Sequence, residues 1–186
     1  MSVRNLRWIV LGAAAVGLAA CRTELRKPEA PPGDFASPTI DLGVVVSDLE
    51  KSARFYTDAI GFREIRGFDV PATMGADSGL TDHRPFRVRV FVLDDAPSAT
   101  RLKLMEFPEV RPRSPDNTFI HSALGYRYLT IHVNDTAAAL KRLERTGLKP
   151  LAKGPVLLPK GFPEGIYLTC VKDPDGNMVE LVGPKR

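Results

Sequence analysis

Glu180 lies in the run Met178-Val179-Glu180-Leu181-Val182, which follows Asp173-Pro174-Asp175-Gly176-Asn177. Asp-Pro opens a turn and Gly176 supplies the positive φ of a tight hairpin, so the run reads as a strand. A period of two puts Val179 and Leu181 on one face and Met178, Glu180 and Val182 on the other. The carboxylate therefore faces away from the most apolar packing surface, where it can act as a base or meet a ligand. Leu102-Lys103-Leu104 repeats the build with an ammonium in the middle. In Tyr128-Leu129-Thr130-Ile131-His132-Val133, alternation gives Tyr128, Thr130 and His132 a common face opposite three apolar residues. Histidine is the side chain suited to proton transfer near neutral pH, so His132 is a candidate acid, base or substrate contact. Tyr128 can assist a proton transfer, and Thr130 can hydrogen-bond a ligand. The competing reading is a set of ordinary polar residues on a wet sheet surface, with His132 as a hydrogen-bonded structural group.

The elements that must position these residues come in two matching sets. Residues 40–46 are apolar and β-branched, and Ser47-Asp48-Leu49-Glu50 reads as a helix start with a capping box. Leu49, Ala53, Tyr56 and Ile60 recur at helical spacing, and Gly61 stands where a left-handed residue closes the helix. Residues 62–68 extend, and after a loop rich in Pro, Gly and Asp, 86–93 and 101–106 supply two more strands. The second set begins at Arg127 with the strand that carries His132. Asn134-Asp135 caps a helix bearing Leu140 and Leu143, and Gly147 ends it. Residues 148–152, 166–172 and 178–182 read as strands, with 153–164 as a loop. Shifting the chain by 87 residues places Asp48 on Asp135, Val45 on His132 and Asp41 on Tyr128. Such self-similarity marks a duplicated unit. Loops 69–85 and 153–164 are long enough to serve as lids.

The chain has 186 residues, 44% of them hydrophobic, enough for one domain with a real core and a tail. The formal charge of +4 includes Arg4 and Arg7, which precede an apolar run from Trp8 to Ala20. That run is too short to span a bilayer comfortably and has the shape of a secretory signal, residues 1–20. Leu18-Ala19-Ala20-Cys21 resembles the bacterial lipobox, which implies cleavage before Cys21 and its lipidation; an ordinary signal or an uncleaved anchor helix is the alternative. Residues 21–38 carry Pro28, Pro31, Pro32 and Pro38 and read as a stiff tether from the membrane. The expected location is the bacterial cell envelope, facing the periplasm or exterior. No basic run interleaved with aromatics occurs, which argues against nucleic acid. With Cys21 acylated, Cys170 has no disulfide partner and is read as a small buried residue. The sequence shows no phosphate-cradling glycine loop, nucleophile elbow or Cys-x-x-Cys pair. His83 and His121 fall in loops. Arg87 and Arg89 share a strand face and either attract an anionic ligand or form a solvated edge.

Asp41-Leu42-Gly43-Val44-Val45-Val46-Ser47-Asp48-Leu49-Glu50-Lys51-Ser52, then Phe55-Tyr56, Ile60-Gly61-Phe62 and finally Asp173-Pro174-Asp175-Gly176-Asn177 with Glu180 resemble the vicinal oxygen chelate superfamily, the group of glyoxalase I, bleomycin-resistance proteins and extradiol dioxygenases. The resemblance implies an α+β domain over 39–186, with βαβββ modules at 39–107 and 126–183. Together these form a cup-shaped mixed sheet with helices on the outside and a small-molecule ligand in the cup. It also implies a divalent metal held by the first and last strands of each module. Glu180 keeps the family type, but the other three positions hold Asp41, Lys103 and Tyr128. Asp41 offers a hard oxygen, Lys103 would have to lose its proton, and neutral tyrosine is a poor ligand. No cofactor is therefore favoured; a divalent metal on Asp41 and Glu180 is the alternative, with Glu106 as fallback ligand if the register slips by one. The main expectation is that the Lys103 ammonium takes the metal's neighbourhood, paired with Asp41 and Glu180 and completed by the Tyr128 hydroxyl.

The function expected on this basis is that of a lipid-anchored cup binding a small polar or anionic molecule through Asp41, Lys103, Tyr128, Thr130, His132 and Glu180. The first alternative is a metal-dependent glyoxalase- or dioxygenase-type enzyme. The second is a metal-free isomerase or lyase with Glu180 as base beside Lys103 as electrostatic stabiliser of an enolate-like intermediate; in the metal-dependent alternative Tyr128 or His132 assists proton transfer. Whether one chain completes the cup or a homodimer does so stays open.

Overall fold

The computed structural model describes residues 33, 35–37 and 39–186. The expected signal peptide, Cys21 and most of the tether lie outside the described residues. Among the described residues no helix is long and apolar enough to cross a membrane.

Two units follow one another in the chain. The first is β1 (Leu42–Val45), α1 (Leu49–Arg54) running on into a wider helical turn (Phe55–Ile60), β2 (Arg63–Val70), α2 (Ala72–Asp77), β3 (Phe86–Val92) and β4 (Leu102–Glu106). The second is β5 (Tyr128–His132), α3 (Thr136–Arg145), β6 (Val156–Leu157), β7 (Ile166–Lys172) and β8 (Met178–Pro184). Each forms a four-stranded sheet, ordered β1-β4-β3-β2 and β5-β8-β7-β6. In both, the first strand runs parallel to the last and the other pairs are antiparallel. The class is α+β, as expected, and the ladders show the duplication directly. Gly43 pairs with Lys103 and Val45 with Met105, where the second unit pairs Thr130 with Glu180 and His132 with Val182.

Three local expectations need correction. The capping box is not formed: Asp48 caps α1 by accepting from the Lys51 N–H at 2.8 Å. Ser47 instead gives its N–H to Asp175, and Glu50 goes to Arg89, because tertiary partners outcompete a local motif worth about 1 kcal/mol. Residues 148–152 form no strand. Pro150 has no N–H to give a ladder, and among the described residues the segment's one backbone hydrogen bond to β7 is Leu151 N–H to the Cys170 carbonyl, 2.9 Å. Pairing resumes at β6, inside the expected loop. The loop 69–85 in turn contains α2.

One core runs under both sheets. Phe91, Leu102 and Leu104 meet Ile131, Val171, Val179 and Leu181 through the inward residues of α1, its wide turn and α3. The wide turn bonds Gly61 N–H back to the Tyr56 carbonyl, five residues earlier, and Gly61 closes it at φ 104°. That closure is left-handed and suits glycine. Phe55, Tyr56, Ala59 and Ile60 are all buried as a result.

The Tyr56 hydroxyl donates to the buried Asp173 carboxylate at 3.0 Å. Asp173 also accepts from the Asp175 and Asn177 N–H groups and the Asn177 amide. The neighbouring Asp175 carboxylate receives Ser47 N–H, 3.2 Å, and the Ser52 hydroxyl, 3.5 Å. The β7–β8 turn of one unit is thereby fastened to the helix start of the other. Burial first, and then the Asp173 charge, raise the Tyr56 pKa well above the ordinary tyrosine range.

Tyr56→Phe removes one donor from a buried carboxylate and is expected to lower stability by about 1–3 kcal/mol, read from urea unfolding. The raised Tyr56 pKa means that the folded state keeps a proton the unfolded chain releases. Its contribution is therefore whole below about pH 10 and declines above it. Alkaline unfolding is expected to begin there and to be blunted in the phenylalanine variant. Gly183 of β8 runs so close to Val133 that the Val133 carbonyl oxygen stands where a Cβ would be. Gly183→Ala forces the two backbones apart and is expected to cost about 1–3 kcal/mol in the same measurement.

Candidate functional site

The faces turned away from the shared core are treated differently in the two units. On the first sheet, Val70, Phe86, Val88 and Val90 are buried among Ile65, Met105 and Phe107. Phe86 and Phe107 stack at 4.8 Å. Met105 lies over Gly43, its methyl 3.0 Å from where a Cβ would stand. Over β3 and β4 this face is packed with its own side chains, while Gly43 and Val45 of β1 are exposed. On the second sheet the matching face borders a cleft of about 560 Å³, within the usual range for small-molecule sites. Tyr128, Thr130 and His132 of β5 and Glu180 of β8 line it, with Ile166, Leu168 and Val182 as apolar wall.

The alternation read from the sequence places these groups. Val179 and Leu181 are buried while Glu180 is turned to the cleft. Glu180 stands directly across from Thr130 in the parallel pair, and the Thr130 hydroxyl donates to Glu180 Oε2 at 2.6 Å. Among the described residues nothing hydrogen-bonds Glu180 Oε1, and no lysine or arginine lies within salt-bridge distance of it. His132 is exposed, and Tyr128 is 54% exposed at the rim. Tyr128 also borders a smaller groove, about 270 Å³, between β1 and β5.

Asp41 and Lys103 stand elsewhere. Lys103 Nζ is 2.6 Å from Asp41 Oδ2, each side chain 30% exposed, and neither lines the cleft. The expected cluster of one ammonium, two carboxylates and a tyrosine hydroxyl is therefore divided. Lys103 is matched by Asp41 alone, Glu180 by Thr130, and the Tyr128 hydroxyl makes no hydrogen bond among the described residues. The reason lies in the register: Lys103 and Glu180 each find a partner within their own sheet, Asp41 just before β1 and Thr130 on β5.

The donor set does not fit the metal expected from the family. Among the described residues no three His, Cys, Asp or Glu side chains come together to hold an ion. The Asp41 oxygen that could serve already receives an ammonium, and the Glu180 neighbours are two hydroxyl-bearing residues and an exposed histidine. Glu106 is paired with Arg87 across β3 and β4 and faces away from Lys103.

The arginines are committed as well. Arg89 binds Glu64 at 2.6 Å and Glu50 at 2.7 Å, and its hydrogen bonds hold the Glu64 carboxyl below the usual range. His83 and His121 are exposed, the latter stacked on Phe119.

Sequence reasoning reached one part of the wall only as a possible lid. Leu158, Phe162 and Pro163, in the 153–164 loop, form the outer wall of the cleft; their apolar side chains at a loop tip were the available signal. Cys170, read as a small buried residue, is half-buried and stands across from Glu180 in the β7–β8 pair. Burial, and then the Glu180 charge, push its thiol pKa up, so it stays a protonated, weakly nucleophilic group.

A search of curated proteins finds no match to this chain. Among solved structures, a glyoxalase family protein from Bacillus cereus superposes with a TM-score of 0.65 at 19% identity, over 83% of this chain and 99% of that one. Leishmania major glyoxalase I, described as trypanothione-dependent, gives 0.54 at 21% identity, over 78% and 85%. Zea mays glyoxalase I gives 0.59 at 17%, over 80% of this chain and 45% of the maize chain. At these identities the likeness is one of fold. The profile of the Glyoxalase/Bleomycin resistance protein/Dioxygenase superfamily matches residues 40–181, from the start of β1 to within β8 and across both copies of the repeated unit. The chain belongs to that superfamily.

Proposed function

We propose that this protein is a lipid-anchored binder of a small molecule, that the ligand site is the cleft of the second unit, and that the protein works without the family's usual metal. The observation that carries the reading is the contrast between the two faces. The first is filled by Val88, Val90, Met105 and Phe107. The second keeps about 560 Å³ bordered by an apolar wall and four convergent polar side chains, the composition of a small-molecule site. The metal-free part rests on the donors: Lys103 already neutralises Asp41, and an ammonium there repels a divalent ion. Membrane attachment at the bacterial cell envelope, facing the periplasm or exterior, rests on the likeness of Leu18-Ala19-Ala20-Cys21 to a lipobox.

Proton transfer on the bound molecule is the second reading, favoured by the free Oε1 of Glu180 within reach of the cleft. There Glu180 acts as base, with Tyr128 and His132 as the other proton-handling groups on the same wall.

A small-molecule panel followed by thermal shift is expected to yield ligands whose effect disappears in Val182→Trp, which fills the cleft from β8. Ligands that stabilise the tryptophan variant equally would place binding elsewhere. Protein purified without chelator is expected to carry no stoichiometric divalent metal by elemental analysis. A full equivalent, lost in Glu180→Ala, would overturn the metal-free reading. In the bacterial host, Cys21→Ala is expected to move the protein out of the membrane fraction. Retention there would end the lipid-anchor proposal.

A further inference from the structure

The charge inventory of the cleft says more than that something small enters it. Its lining includes no lysine or arginine and one carboxylate, that of Glu180, with His132 and Tyr128 as the other titratable groups. Thr130 fixes that carboxylate through Oε2 and leaves Oε1 without a partner among the described residues, in a side chain that lines the cleft. Lys103, the cation expected to balance it, is held by Asp41. An anionic ligand would meet an uncompensated like charge in a partly desolvated site. A purely apolar ligand would cover the carboxylate and remove its water without replacing the lost hydrogen bond. A cation-bearing ligand meets neither penalty, and its N–H groups supply a charge-assisted donor to Oε1.

The rest of the wall sets the other half of the ligand. Leu158, Phe162, Ile166, Leu168 and Val182 are apolar, and Phe162 is exposed at the rim, where an aromatic face accepts a flat apolar body. We infer that the cleft takes a small molecule with an apolar, ring-sized body and a single protonated amine, the amine seated on Glu180 Oε1. This rests on the second-unit cleft being the ligand site, and it replaces the polar or anionic molecule expected from the sequence.

Three probes of one shape test it: naphthylmethylamine, naphthylmethanol and naphthoic acid, titrated calorimetrically into the wild-type protein at neutral pH. The amine is expected to bind about tenfold or more tightly than the alcohol, with the acid weakest. In Glu180→Gln, where the charge goes but the shape and the Thr130 contact stay, amine and alcohol are expected to bind alike. Equal binding of all three probes, or preference for the acid, overturns the amine assignment and leaves the cleft reading standing. An amine preference that survives Glu180→Gln does the same. Failure of every probe to bind, or binding untouched by Val182→Trp, overturns the cleft reading and this inference together. Should Glu180→Gln fail to fold, the wild-type ranking alone decides.

Discussion

The architecture depends on one buried anion. Asp173 is 5% exposed, and an isolated carboxylate at that depth would be costly. It is tolerated because four donors converge on it: the Tyr56 hydroxyl, two backbone N–H groups of its own turn and the Asn177 amide. Each donor fixes something. The backbone bonds set where β8 begins, and with it which residues of the strand face inward. Tyr56 is delivered by the wide helical turn of the other unit, so the same carboxylate ties two folding copies together. Asp175, two residues on, places its charge by the first turn of α1, where exposed N–H groups and the helix dipole favour it.

From that constraint the candidate site follows in short steps. With the start of β8 fixed, Val179 and Leu181 enter the core and Glu180 turns outward. The parallel register with β5 sets Thr130 beside it and brings Tyr128 and His132 to the same wall. The equivalent steps in the first unit produce Gly43, Lys103, Val45 and Met105: Lys103 closes an ion pair with Asp41 and Met105 packs on the Val88 and Val90 cluster, while Gly43 and Val45 stay exposed. The two halves share a backbone plan and differ in what four or five side chains do on one face.

Much of this was legible beforehand because the strong signals were local and periodic. The alternation around Glu180 and Thr130, and the spacing of Leu49, Ala53, Tyr56 and Ile60, each reflect burial of one face, and the structure agrees with all of them. The correspondence of Val45 with His132 was equally readable from the shift, and the ladders repeat it. What escaped notice had no period to show. β6 is two residues long, too short for any pattern, whereas the apolar stretch before it imitated a strand that Pro150 cannot support. The partner of Tyr56 was hidden because Asp-Pro-Asp-Gly is fully explained by its own turn, so nothing marked Asp173 as serving a distant helix. The partner of Lys103 was half legible: the ion pair with Asp41 lies within one sheet, whereas a link to Glu180 required knowing how two sheets sit together, which strand patterns do not encode.

The buried side chains on the outer face of the first sheet leave the two copies with different freedoms to vary. Substitutions at Val70, Phe86, Val88 and Val90 on the outer face of the first sheet are judged by volume, like those in any interior, whereas at exposed Gly43 a side chain has only to displace the Met105 methyl. Substitutions on the corresponding face of the second sheet meet open space and are judged by what they recognise. Within a duplicated fold, one repeat has become the buttress and the other the variable part. A lineage acquiring a new ligand through this face would be expected to record the change in β5, β7 and β8 while leaving β3 nearly still.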